Sequence, residues 1–138
     1  MSINQGEIHL VNFDPSFGHE YKKIRPALIV ENSTFISLGN LVTLIPISSK
    51  TDKKSLLDVF VCKDSTNRMH SDSLIKVRQI SSFDKWLVLK KVYTFWLIIL
   101  LQVYKKVSEW NRLSEGLFFV QIICQNESIG FFQVHQAS

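Results

Sequence analysis

The chain has little of the chemistry that staples small proteins. Only two cysteines occur, Cys62 and Cys124, far apart and without ligand spacing. Free thiols and a reducing, cytoplasmic compartment are the default expectation. No CxxC pair and no histidine-rich cluster argues for a structural zinc; His9, His70 and His135 are too scattered for a metal. No internal repeat and no low-complexity segment is present. The opening residues Met1–Glu7 lack a basic region followed by an apolar one, so no signal peptide is expected. The longest apolar run, Val92–Tyr104, covers about 13 residues between lysine pairs. A membrane span needs roughly 20. The run is expected as a helix buried on the domain or in a dimer interface.

What is present describes an ordinary folded domain. The 138 residues suit one domain with its own core. Hydrophobic residues make up 46%, which excludes a disordered chain. A net charge of +4 suits a polyanionic partner without establishing one.

Short strands dominate the first part of the chain. Ile8–Phe13 is apolar on both faces, Pro26–Val30 follows a polar loop, and Leu41–Ile47 is a β-branched run. Leu57–Val61 and Leu74–Ile80 complete five strands. Glu31–Phe35 is expected to form a brief helical turn with Ser33 as its cap, ended by Gly39-Asn40. Five short strands with little helix predict a mainly β (α+β) fold, either a small barrel or a compact, bent sheet. From Trp86 onward the apolar residues through Tyr104 predict a helix that extends to Trp110. Leu117–Cys124 and Ile129–Val134 then predict a hairpin. The expected organisation is a barrel over residues 1–85, with residues 86–138 packed on the same domain. Trp86, Phe95, Trp96 and Trp110 are expected in its core.

The loop between the first two strands concentrates reactive side chains: His19, Glu20, Lys22 and Lys23, with Arg25 just before the second strand. Loops held by strands are where catalytic groups tend to lie. The segments Gly6-Glu7-Ile8, Val11-Asn12-Phe13-Asp14-Pro15, Gly18-His19-Glu20, Arg25-Pro26 and Val42–Ser49 occur in the order and spacing of the MazF/PemK toxins. Residues 5 to 85 resemble that family, small endoribonucleases of toxin–antitoxin pairs. The resemblance implies an SH3-like barrel of the PemK/CcdB type with a C-terminal helix; the residues after about 85 are an atypical tail. It also implies a homodimer that acts on RNA and is neutralised by a cognate antitoxin, with which it binds DNA. No cofactor, metal or membrane is implied.

RNA is cut when its 2′-hydroxyl attacks the adjacent phosphate. A base, an acid and donors to the extra charge on phosphorus are then needed. By resemblance Arg25 is the phosphate-holding arginine; a guanidinium holds two oxygens at once. The alternative is a surface arginine pairing with Glu20 or Asp14. Ser48 corresponds to the family's hydroxyl beside that arginine, with a turn cap as the alternative and Ser49 as a substitute. His19 is the group that titrates near neutrality. Glu20 orients Arg25 or His19, or supports the loop. Lys22, Lys23, Lys50, Lys53 and Lys54 would track the backbone. Phe17 and Tyr21 would stack on unpaired bases.

Three positions depart from the family. The branch that shares Gly-His-Glu carries an aspartate before Gln79, where this chain has Arg78. Lys76 stands where that branch has an arginine. Lys76, Arg78 and Gln79 are therefore read as RNA contacts rather than as proton donors. Ser81 replaces an arginine that often follows. Two other readings stay open: a catalytically inactive relative that binds RNA or antitoxin, and a gyrase poison similar to CcdB.

Overall fold

The computed structural model describes residues 2–13, 24–65, 69–94 and 97–114. Seven strands and two helices follow one another in these segments. They are β1 (Glu7–Asn12), β2 (Ile24–Ile29), α1 (Ser33–Leu38), β3 (Leu41–Ser48), β4 (Val59–Val61), β5 (Ser73–Ile75), β6 (Ser81–Asp84), β7 (Val88–Thr94) and α2 (Leu97–Ser114). The strands form one antiparallel sheet in the order β4-β5-β3-β2-β1-β7, with β6 also on β3. Among the described residues no ladder joins β4 to β7, so the sheet is open. The mainly β architecture with a C-terminal helix agrees with the sequence reading, in the bent-sheet form rather than the closed one.

β3 is the centre of this arrangement. Val42 to Ser48 are all buried, on both faces of the sheet. That explains a continuous β-branched run instead of an alternating one. Two cores lie on opposite faces. One gathers Val11, Ala27, Ile29, Ile36, Val42, Leu44 and Val88. The other gathers Ile8, Leu28, Ile45, Ile47, Ile75 and Val77. Helix α2 closes the second core with Leu100, Val103, Tyr104 and Val107, a stripe at helical spacing. Among the described residues no helix is long and apolar enough to cross a membrane.

Three local expectations are corrected. Val88–Thr94 is a strand, not the start of a helix, because β1 needs a partner along its second edge. The described helix is Leu97–Ser114. Ser33 does not cap α1; Asn32 does, its Oδ1 accepting from the Thr34 N–H at 2.8 Å. Ser33 Oγ instead accepts from the Gln5 N–H at 3.0 Å. The strand expected over Leu74–Ile80 stops at Ile75, gives way to a single 3-10 turn at Val77–Gln79, and resumes as β6. The hairpin expected within 117–134 lies outside the described residues.

Two features fasten the first strand. Gly6 has φ of 86°, and a Cβ there would sit 3.0 Å from Leu100 Cδ1. The turn that opens β1 thus needs the missing side chain twice, for its backbone and for the seat of α2. Next to it, Glu7 is buried between β1 and β7. Its Oε2 lies 2.8 Å from His9 Nε2 and its Oε1 is 2.9 Å from Lys91 Nζ. The Asn4 N–H adds a bond at 2.9 Å. Burial raises the carboxyl pKa, but the partners from His9, Lys91 and Asn4 outweigh it and bring it down to about 2.

Gly6→Ala is expected to destabilise the fold by about 1–3 kcal/mol, read as a lower denaturant midpoint. An unchanged midpoint would show that the turn relaxes. The Glu7 carboxylate stabilises the native state fully above its ordinary value of 4.5, and this contribution is lost as the pH falls toward about 2. Wild type should therefore exceed Glu7→Gln by up to about 3 kcal/mol at pH 7. Urea titrations at several pH values should show the gap closing between pH 4.5 and 2. A gap independent of pH would remove the ionised carboxylate as its source.

Candidate active site

The pairing of β2 with β3 decides which reactive side chains meet. The ladder runs Ile29↔Leu44, Leu28↔Ile45, Ala27↔Pro46. Two prolines end it, since neither Pro26 nor Pro46 can donate a backbone hydrogen bond. Carried two residues further, the same register sets Arg25 opposite Ser48. Beyond Pro46, β3 pairs on its other side with β5, through Ile47↔Ile75 and Ser48↔Leu74.

A row of facing positions thus crosses the sheet. It runs from Val88 to Val11, from Val11 to Arg25, on to Ser48, then Leu74 and Phe60. Directly opposed residues share a face, with strands about 4.8 Å apart. Val88 and Val11 belong to a core, Arg25 is half-buried, and Ser48 and Leu74 beyond it are buried. The row reaches solvent at Phe60, 39% exposed.

Ser48 is itself buried. Its Oγ accepts from the Lys50 N–H at 3.2 Å, the turn-capping bond, which leaves its O–H proton available to donate. The loop that follows is cationic. Ser49, Lys50, Lys53 and Lys54 are exposed, with Asp52 among them. Lys54 Nζ stands 6.0 Å from the centre of the Phe60 ring. Arg78 and Gln79, also exposed, lie on the 3-10 turn. The Lys76 N–H donates to the Pro46 carbonyl at 3.0 Å, which ties the base of that turn to the end of β3.

Other sequence-derived candidates fall elsewhere. Lys76 turns inward, its Nζ 2.6 Å from Asp58 Oδ2. His19, Glu20, Lys22, Lys23, Phe17 and Tyr21 lie outside the described residues. Among the described residues no three His, Cys, Asp or Glu side chains cluster to hold a metal ion. Phe60 escaped sequence reasoning, although the signal existed. Val59-Phe60-Val61 alternates, and the valines on either side are buried, so the ring between them must face the other way.

In chemical terms the described site offers a half-buried guanidinium, a hydroxyl at the facing position of the extended register, three exposed ammonium groups and an accessible ring. The set suits an anion flanked by flat apolar groups.

The chain is 26% identical over 83 residues to the Endoribonuclease MazF of Staphylococcus saprophyticus, covering 60% of this chain and 69% of that one. Its fold is similar to a crystal structure of MazF from Deinococcus radiodurans, with a TM-score of 0.69 and 19% identity, over 80% of this chain and 96% of that one. A MazE–MazF structure from the same organism superposes with a TM-score of 0.63 at 16% identity, over 80% of this chain and 95% of that one. Residues 4–110 match the family of PemK-like, MazF-like toxins of type II toxin–antitoxin systems, and the chain belongs to that family.

Proposed function

We propose that the chain is an endoribonuclease toxin that cleaves single-stranded RNA without a metal. The RNA 2′-hydroxyl attacks the adjacent phosphate, leaving a 2′,3′-cyclic phosphate and a 5′-hydroxyl. The observation that supports this reading is the β2–β3 register, which extended by two residues puts Arg25 across from Ser48, beside a cationic loop. The relative from Staphylococcus saprophyticus is an endoribonuclease by name, which supports it.

In this mechanism Arg25 holds the non-bridging phosphate oxygens and offsets the charge that builds on phosphorus. Ser48 donates its remaining proton to the same group. His19 exchanges the proton of the attacking hydroxyl or the leaving oxygen, and Glu20 orients it or Arg25. Ser49, Lys50, Lys53, Arg78 and Gln79 line the RNA path, continued by Lys22 and Lys23. Phe17 and Tyr21 stack on bases, and Phe60 adds a ring that base stacking can use. An antitoxin covers this site in a homodimeric toxin of the cytoplasm; the solved MazE–MazF structure supports an antitoxin as partner.

The direct test incubates the protein with a long RNA in EDTA. Cleavage with 5′-hydroxyl ends is expected; binding without cutting would mark an inactive RNA-binding relative. Under those conditions Arg25→Ala should slow cleavage on the order of 10²-fold or more, with circular dichroism unchanged. A variant that cuts at the wild-type rate would remove Arg25 from the mechanism. If His19 moves the proton, the rate should fall on one side of neutrality with an apparent pKa of roughly 5.5 to 7.5. His19→Gln should flatten that limb and slow cutting on the order of 10²-fold. An unaltered profile would return proton transfer to Arg25, Glu20 and solvent.

A further inference from the structure

We propose that the Lys76–Asp58 ion pair sets the position of the cationic β3–β4 loop, so that both act as positioning residues for RNA and neither contacts it. This inference rests on the functional reading above. The pair is closed to solvent on its acidic side: the Asp58 side chain is 1% exposed and that of Lys76 17%. Their 2.6 Å separation is that of a charge-assisted bond.

The loop is organised around this pair. Asp58 Oδ2 also accepts from the Ser55 N–H at 2.8 Å, and the Asp58 N–H returns a bond to the Ser55 carbonyl at 3.2 Å. Lys76 Nζ reaches the Lys53 carbonyl at 3.4 Å. Lys76 is in turn fixed by its own N–H on the Pro46 carbonyl, two residues before Ser48. The backbone that carries Lys50, Lys53 and Lys54 is therefore referenced to the strand end that carries the reactive hydroxyl. A second lysine, Lys106 of α2, holds the Leu56 carbonyl at 3.1 Å from the other side. The loop lysines keep their exposed tips while the chain beneath them is held.

A direct phosphate contact by Lys76 fits these facts poorly. Two of its three donors are already aimed at Asp58 and the Lys53 carbonyl. Asp58 Oδ1 has no hydrogen-bond partner among the described residues, so the carboxylate depends on what Oδ2 receives. Taking Lys76 away to serve RNA would leave a buried charge with one backbone amide.

The two roles give opposite signs for one substitution. Asp58→Asn makes the protein more positive, so simple electrostatics and a freed Lys76 both demand tighter RNA binding. Loss of the clamp demands weaker binding. The measurement uses a fluorescent single-stranded RNA of random sequence, 2′-O-methylated so that it is bound but not cut. Asp58→Asn and Lys76→Met are each expected to weaken binding about tenfold, the scale of one or two lost phosphate contacts. The double variant should be no worse than the poorer single variant by more than about twofold. Cleavage of unmodified RNA should show a raised KM with kcat within about twofold, since the loop holds ground and transition states alike. Asp58→Asn that binds as tightly as wild type, with Lys76→Met weaker, overturns the proposal and makes Lys76 a phosphate contact. A loss that tracks the unfolded fraction by circular dichroism overturns it as well. If Asp58→Asn does not fold, Asp58→Glu keeps the charge and shifts it; the clamp requires weaker binding there, and wild-type binding overturns it. Should wild type neither bind nor cut RNA, the functional reading fails by itself. Amide exchange of residues 49–57 then judges the clamp: it should rise about tenfold in both variants, and unchanged exchange overturns it.

Discussion

The placement of Arg25 and Ser48 depends on the backbone ladder between β2 and β3. Three facing pairs, Ile29↔Leu44, Leu28↔Ile45 and Ala27↔Pro46, fix the register. A slip of one residue would send Arg25 and Ser48 to opposite faces. The slip is blocked by burial, because Leu28 and Ile45 fill one core while Ile29 and Leu44 fill the other. Exchanging those sets would move apolar side chains between two differently shaped interiors. The register is therefore held by the hydrophobic effect on both faces, and the position of the site is a by-product of packing.

The ladder also explains why the site lies at a strand end. Prolines at 26 and 46 remove donors where β2 and β3 part. β3 continues for two residues, Ile47 and Ser48, paired on its other side with β5. Its last residue caps the following turn, and from there the chain is a loop rich in lysine. A strand end beside an irregular segment gives fixed geometry on one side and adaptable polar groups on the other. The RNA strand proposed as substrate would use both.

Most strands were legible in the sequence because β-branched runs and turn residues mark them locally. The elements that misled were those decided by distant partners. Val88–Thr94 has residues compatible with either state, and the open edge of β1, some eighty residues earlier, selects the strand. Ser33 looks like a cap, but the position one residue before it has the side chain that reaches the Thr34 amide. At the site, the places of Arg25 and Ser48 at neighbouring strand ends follow from order and pattern, since both flank strongly apolar strands. The fate of Lys76 does not. A lysine on a polar segment reads as a solvated cation, and only tertiary structure shows it inside, against Asp58. Trp86 is the reverse case, an aromatic expected in the core that is 74% exposed.

The pairing of β1 with β7 has a consequence for how the chain acquires its shape. β1 is made first, yet one of its edges stays open until residues 88–94 exist. The glycine turn before it has nothing to seat until Leu100 arrives. Such a high contact order places folding among the slower small domains, in milliseconds to seconds. During synthesis the early strands are complete long before they are covered, and their unpaired edge is the surface at which nascent chains stray into aggregates. The molecule therefore matures late and all at once, and a partially made copy has neither a finished sheet nor a closed second core.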